Sequence, residues 1–307
     1  MKPAAFTYHR ARDVEGAARL LAELGDDAKV IAGGQSLVAM MNFRLARPAH
    51  LVDIGGLSGL DGLRTDAGGA LHIGALTTHH AVETAPPEVL GAGFAVLRDA
   101  MRWVGHLPIR TRGTVGGSLA HGDATAEWCL LAVLLDAELV ARGPDGERRI
   151  PAAEFFHGYY TTALEPEEIL VEVVFPRPAP YAALTEFAER RGDFATVSAA
   201  VDLEPADGPE GAEDSGREGE PELVGGGGRF RAARVALGGV AALPVRVPEA
   251  EEALVQGGPY GPELYAQVAA VAAESVDPPS DANGSAHYRR TLIRTLVAHA
   301  CEEAMSR

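Results

Sequence analysis

The 307-residue sequence predicts an α+β fold spread over about two domains, and three observations carry this. Short runs rich in β-branched residues recur between glycine and proline punctuation. Helix-period segments with cap residues alternate with them. No internal repeat organises the chain. In order, "DVEGAARLLAEL" (13–24) spaces Val14, Ala17, Ala18, Leu21 and Leu24 at helical intervals behind an Asp13 cap, and Gly25 follows as a stop. A short strand then ends at Ala32, an apolar segment runs through Leu45, and "HLVDIGG" (50–56) reads as a second strand. "ALHIGA" (70–75), "AELVAR" (137–142), "ERRIP" (147–151) and "EILVEVVFP" (168–176) are further strand-like runs, so 60–176 reads as mixed helix and strand. "RVALGGV" (234–240) resumes strand order, and helical patterns occupy roughly 260–275 and 287–304.

Charge and composition narrow the classes of function. A formal net charge of −16 repels nucleic acid and anionic membrane. No apolar run approaches the ~18 to 20 residues of a membrane span, and the N-terminal "MKPAAFTYHR" lacks the apolar core of a secretory signal, so the expected location is cytoplasmic. The segment 204–228 holds eight acidic residues against one arginine and closes on four glycines, which reads as a disordered surface insertion. Its net −7 leaves the remainder at −9, still acidic. The only cysteines, Cys129 and Cys301, lie far apart, so the chain supports neither a disulfide framework nor its own iron–sulfur cluster.

An acidic chain that binds phosphate must do so with local backbone dipoles, which directs attention to two glycine turns. "KVIAGGQSLV" (29–38) stops a β-branched run on Gly33 and Gly34, and "RTRGTVGGSLAHGDATAEW" (110–128) sets Gly116 and Gly117 between Thr114 and Ser118. Each turn could present successive amide N–H groups as an anion-binding nest, and the two together could clamp a diphosphate. A lone Gly-Gly pair is ordinarily just a turn, and "DIGGLSG" (53–59) and "LGGV" (237–240) read that way. Neither turn fits G-x-G-x-x-G or the P-loop pattern, so the nest is of another kind. His72, His79, His80 and His121 lack metal-ligand spacing, and Ser118 with His121 lacks triad geometry. Arg110 and Arg112 could face phosphate, a partner or solvent; Trp103 and Trp128 read as core, and "YRR" (288–290) as the structural opening of a helix.

At this point the residues carry a resemblance. "AGGQSL" (32–37), "LARPAHLVDI" (45–54), "IGALTTH" (73–79), "RGTVGGSLAHGDATAEW" (112–128), "FFHGYYTTAL" (155–164), "EILVEVVFP", "RRGDFATVSAAV" (190–201), "ALGGVAALPVR" (236–246) and "GSAHYRRTL" (284–292) occur in collinear order. Together they resemble the flavoprotein, or medium, subunit of the molybdenum hydroxylases, nearest the aerobic carbon monoxide dehydrogenase type. The resemblance implies a p-cresol methylhydroxylase/vanillyl-alcohol oxidase-type FAD-binding domain over 1–177, with subdomains about 1–56 and 57–177, and a C-terminal flavoprotein domain over 178–307. It implies FAD on this chain, and [2Fe–2S] clusters and molybdopterin on a small and a large partner subunit, assembled as a dimer of heterotrimers. Electrons would pass from the clusters through FAD to an external acceptor.

Carried over residue by residue, the resemblance implies that Ala32, Gly33, Gly34, Gln35, Ser36 and Leu37 form the first FAD loop. Thr114, Val115, Gly116, Gly117 and Ser118 form the second, Asp123 and Glu127 give polar contacts toward the adenosine half, Ile169 gives a backbone contact near the flavin, and Phe194 lies beside the ring. Gln35 stands where many members carry histidine, and Phe194 where close relatives carry tyrosine. Two other readings stand beside this one: a stand-alone flavin oxidoreductase of the same fold, and a non-catalytic assembly subunit.

Overall fold

A computed structural model describes residues 2–206 and 228–307. Its first layer is β1 (Thr7–Arg10), α1 (Val14–Leu24), β2 (Ala28–Ile31), α2 (Leu37–Asn42) and β3 (His50–Asp53). The three strands form a parallel sheet in the order β1-β3-β2. α1 begins as the sequence predicts: the Asp13 carboxylate accepts the Gly16 N–H at 2.6 Å, and Gly25 closes the helix at φ +59°. The apolar segment through Leu45 becomes α2, a helix that starts directly after the first glycine turn.

A second layer holds β4 (Leu63–Thr65), β5 (Leu71–Gly74) and a chain of short helices: α3 (His79–Glu83), α4 (Pro87–Leu90), α5 (Ala95–Ala100), α6 (Leu107–Arg110), α7 (Val115–His121) and α8 (Glu127–Leu134). It continues with β6 (Glu138–Gly143), β7 (Gly146–Pro151), a hairpin of β8 (Phe156–Gly158) and β9 (Thr161–Thr162), and β10 (Ile169–Phe175). The antiparallel sheet runs β4-β5-β10-β6-β7. Strand β10 is central and buried at six of its seven positions, which is why its sequence ILVEVVF is nearly continuous in apolar residues.

The third layer pairs β11 (Ala182–Phe187), β12 (Val197–Pro205), β13 (Phe230–Gly238) and β14 (Val245–Arg246) into an antiparallel sheet. α9 (Pro248–Gln256), α10 (Pro262–Glu274) and α11 (Ala286–Met305) cover one face. Alternation along β12 sends Val197, Ala199, Val201 and Leu203 to those helices, while Ala200 on the other face joins the core built around α8. The expected acidic insertion begins later than the sequence suggested. Glu204 and Pro205 are the end of β12, paired with Ala232 and Phe230, because Arg177, Arg231 and Arg234 surround the Glu204 carboxylate. The rest of that segment, 207–227, lies outside the described residues.

The pair Gly238–Gly239 is not the ordinary turn its sequence suggested. Gly238 ends β13, where a Cβ would overlap the Ser198 hydroxyl, and Gly239 adopts φ +74°. The "YRR" opening of α11 is structural: buried Arg289 donates to the Thr196 carbonyl, to the Gly239 carbonyl at 2.8 Å and to the Asp281 carboxylate at 2.7 Å. Arg289→Met leaves those acceptors unpaired in the interior and is expected to cost about 2–4 kcal/mol. Urea unfolding measures it, and a loss below about 0.5 kcal/mol, the scale of a surface substitution, would rule out the clamp.

Candidate functional site

The first glycine turn leaves the carboxyl end of β2 in a parallel sheet, where the backbone is free to meet a ligand. Gly34 takes φ +72°, which only glycine adopts at no steric cost, and turns the chain into α2. Among the described residues, none of the amide N–H groups of Gly33, Gly34, Gln35, Ser36 and Leu37 donates to an acceptor in the chain. Five adjacent unpaired donors form a cradle for an anion. They border a groove of about 510 Å³ lined by Tyr8, Ile31, Ala32, Gly33, Gly34, Gln35, Val38, Ala39, Asn42, Asp53 and Arg112. Gln35 folds its amide back onto the Gly33 carbonyl at 3.2 Å.

The second turn is built differently, although its sequence looks alike. Val115 donates to the Thr77 carbonyl at 2.9 Å, Gly116 to Ala75 at 2.9 Å, and Ser118 to Thr114 at 3.0 Å. Gly117 donates to the Thr114 hydroxyl at 3.1 Å, which caps α7. The symmetric pair of open nests expected from sequence is therefore corrected: amides 115–118 are committed to the strand end at Ala75–Thr77 and to the cap. Gly116 is bare for packing, since a Cβ there would stand 2.5 Å from the Ala75 Cβ. Gly117 is exposed and offers an open Cα surface. Gly33 is bare because the turns touch, and a Cβ on it would overlap the Arg112 carbonyl oxygen.

Asp123 is buried just past α7, its Oδ1 accepting the Thr125 amide at 2.9 Å and hydroxyl at 2.7 Å. Glu127 opens α8, and burial followed by the neighbouring Asp123 charge pushes its carboxyl up to about 7. Ile169 is buried in β10 opposite Arg142, within the small core beneath the first sheet. Phe194 is 71% exposed in the β11–β12 connection. The two turns are thus brought together directly and Asp123 and Glu127 follow the second, while Ile169 comes from β10 and Phe194 from the β11–β12 connection.

Sequence reasoning missed a second cavity, about 390 Å³, between the second and third layers. It is lined by Arg102, Trp103, Glu186, Phe187, Ala188, Arg190, Arg191 and Gly192. Trp103 Nε1 and Glu186 Oε2 are buried without a partner among the described residues. Burial, then the charge of Glu127, pushes the Glu186 carboxyl up to about 9. The available signal was local: Glu186 is the one charged residue in β11, whose sequence is AALTEF. Arg110 is not at either cavity mouth, being held by Glu83 and the Val104 and Gly105 carbonyls, whereas Arg112 borders the first groove. Trp128 is fully buried and donates to His79 Nδ1 at 3.0 Å, and burial lowers that imidazole to about 4. His72 is bound between Asp66 and Glu172. No cluster of potential metal ligands occurs among the described residues.

Comparisons with known proteins identify the family and the fold. Residues 4–178 match the family described as the FAD binding domain in molybdopterin dehydrogenase, and residues 182–304 the CO dehydrogenase flavoprotein C-terminal domain. The chain is 38% identical to the 6-hydroxypseudooxynicotine dehydrogenase complex subunit alpha of Paenarthrobacter nicotinovorans, covering 100% of this chain and 97% of that one. It is 34% identical to the carbon monoxide dehydrogenase medium chain of Afipia carboxidovorans, at 100% and 99% coverage. Among solved structures, carbon monoxide dehydrogenase from Hydrogenophaga pseudoflava superimposes with a TM-score of 0.87 at 33% identity, covering 100% of this chain and 99% of that chain. Quinoline 2-oxidoreductase from Pseudomonas putida 86 does so with 0.87 at 34% identity, at the same coverage.

The contrast between the turns predicts opposite outcomes for two small substitutions. Gly33→Ala, which drives a methyl group into the Arg112 carbonyl, is expected to destabilise the chain by about 1–3 kcal/mol. Gly117→Ala meets only the Thr114 hydroxyl and should keep the fold; equal losses of melting temperature in the two variants would refute the assigned roles. Stability should also peak between two titrations. The Glu127 and Glu186 values lie above the ordinary 4.5, so stability is fully present below that pH and is lost as pH rises through about 7 and about 9. The His79 value lies below the ordinary 6.5, so its contribution is present above 6.5 and lost as pH falls toward about 4. Calorimetry across pH should show Glu186→Gln raising the alkaline limb alone.

Proposed function

The chain belongs to the FAD-binding subunits of the molybdopterin dehydrogenase family, an oxidoreductase component with FAD as its cofactor, and from that premise we propose that it relays electrons from [2Fe–2S] clusters of a small partner subunit to an external acceptor. The observation that carries the reading is the run of unpaired amides at 33–37. These five N–H groups hold the FAD diphosphate, and Arg112 beside them adds the nearest positive charge. Thr114, Val115, Gly116, Gly117 and Ser118 set the opposite wall, with the exposed Gly117 as the place of closest backbone approach. Asp123 and Glu127 supply polar contacts, Ile169 a backbone contact, and Phe194 a ring face at the β11–β12 connection.

Bound FAD supplies the junction between one-electron and two-electron chemistry, and the chain orients and shields it. Two buried cysteines cannot hold a cluster that needs four thiolates, so the clusters reside on a partner, as does the molybdopterin. The relatives support a substrate read elsewhere: their printed names point to carbon monoxide, quinoline and 6-hydroxypseudooxynicotine, yet each matches this chain almost end to end. We further propose a dimer of heterotrimers in the cytoplasm, with an FAD-binding region over 1–177 and a C-terminal region over 178–307. No described helix is long and apolar enough to cross a membrane.

Purified chain incubated with FAD or with riboflavin, then desalted, is expected to keep the flavin bands only with FAD, because riboflavin lacks the diphosphate. Substrate of the complex should then bleach the bound flavin only when both partner subunits are added. Bleaching of the chain alone by a metabolite would replace this reading with a stand-alone oxidoreductase, and flavin that never cycles in the complete complex would leave an assembly subunit.

A further inference from the structure

Helix α2 is the opposite of α8. Five of the six residues in LVAMMN are apolar, yet only Met41 is buried. An apolar helix with no layer over it marks a contact surface rather than a core element. Just past its end Phe43 is 66% exposed and Leu45 76%, and Val38 on the helix is exposed as well. Phe43 and Leu45 do not border the groove beside the amide cradle, so a ligand held there leaves both uncovered. The first sheet extends this surface. Val52 joins the core beneath α1, so by register Tyr8, Arg10, Ile31 and Asp53 turn to the opposite face, where Tyr8 and Val38 line the same groove.

The backbone that carries Phe43 and Leu45 is fixed. Phe43 N–H donates to the Ala39 carbonyl at 3.1 Å and Leu45 N–H to Met40 at 2.9 Å, while Arg47 Nε donates to the Arg44 carbonyl at 3.0 Å. Arg44 holds φ +59°, a left-handed conformation disfavoured for any residue with a Cβ. Two large apolar side chains are thus held outward on a preset backbone, which lowers the ordering cost of association. The charge of this face runs against that of the chain. Residues 1–12 hold Lys2, Arg10 and Arg12 and no acid, and residues 28–52 hold Lys29, Arg44 and Arg47 and no acid, in a chain with 43 acidic residues and a net charge of −16. Elsewhere carboxylates engage the arginines, as Glu83 does Arg110, Glu168 does Arg148 and Asp202 does Arg234; among the described residues, Arg10, Arg12, Arg44 and Arg47 make no ion pair.

We propose that this face, centred on Phe43 and Leu45 and flanked by Arg44 and Arg47, is the seat of an acidic surface on the iron–sulfur partner chain. The identity of the partner rests on the electron-relay reading above; the place of the contact goes beyond it. Apolar anchors beside arginines are the composition of the energetic centre of a protein interface, and unpaired guanidinium groups call for carboxylates. A polyphosphate or anionic lipid surface fits less well, because the rest of the chain repels it and the two outward apolar side chains need a packed partner. A second copy of this chain would set the same arginines against each other across a two-fold axis. Position selects between the two expected partners. α2 begins at Leu37, the last amide of the cradle, and six residues of helix put Phe43 roughly 9 Å from it. A chain that delivers electrons to a cofactor in the cradle has to approach it that closely, which favours the iron–sulfur chain over the molybdopterin chain.

The test is calorimetric titration of the full chain, incubated with FAD, against the purified iron–sulfur subunit, for wild type, Phe43→Glu, Leu45→Glu and the double variant Arg44→Glu/Arg47→Glu. Either apolar-to-acid variant should weaken binding by about thirtyfold or more. Wild-type affinity should fall as salt rises from about 50 to about 300 mM, and the double variant should bind weakly at low salt and lose that dependence. Melting temperature and FAD retention should stay at wild-type values, since these side chains are exposed and lie outside the groove. Leu45→Ser, which adds no charge, replaces Leu45→Glu if the latter melts early. Variants that bind the iron–sulfur subunit as wild type does would overturn the proposal. So would variants that keep that affinity and instead lose affinity for the purified molybdopterin subunit, for a second copy in sedimentation velocity, or for phosphatidylserine vesicles. Wild type that binds the iron–sulfur subunit at this face but retains no FAD would overturn the diphosphate reading alone; FAD retained with no contact at this face would overturn this proposal alone.

Discussion

Helix α8 is apolar on every side, and the rest of the molecule is arranged to cover it. Seven of the eight residues in EWCLLAVL are buried, and Glu127 at its first position is half-buried. Such a helix cannot lie on the outside of a domain; it needs a wall behind it and another in front. The five-stranded sheet supplies one wall, and the inner face of β12 and β13 supplies the other, through Ala200 and Ala236. Covering these side chains is worth on the order of 10 kcal/mol before the ordering entropy is set against it. Because α7 and the second glycine turn precede α8 by a few residues, the same burial brings the third layer to the edge of the cofactor site.

The glycines show how one composition serves unlike tasks. Gly33 and Gly116 are bare because another part of the backbone or a methyl group occupies the space a side chain would need. Gly34 is bare for its left-handed backbone, and Gly117 leaves an open surface while its amide holds the α7 cap. Free donors occur at the first turn alone. The clamp therefore consists of one turn that binds through its amides and one that buttresses it, joined where Gly33 packs on Arg112.

Electrostatics divides the same way. Two arginines of the third layer carry ion pairs across its boundary with the second: Arg234 joins Asp136 as well as Asp202 and Glu204 of its own layer, and Arg246 joins Asp136 as well as Glu251. These pairs are partly buried and hydrogen-bonded, so they orient the docking of the C-terminal sheet more than they add net stability.

The sequence by itself determined α1 with its Asp13 cap, strands β5, β6, β7 and β10, helices α10 and α11, the two glycine turns and the family. Each is written in local periodicity, in capping residues or in ordered motifs, and these survive without knowledge of neighbours. Tertiary structure alone decided the difference between the turns, because amide pairing at 115–118 depends on Thr77 and Ala75, residues some 40 positions from that choice. It also decided that Glu204 extends β12, since the arginines that hold it come from three other places in the chain.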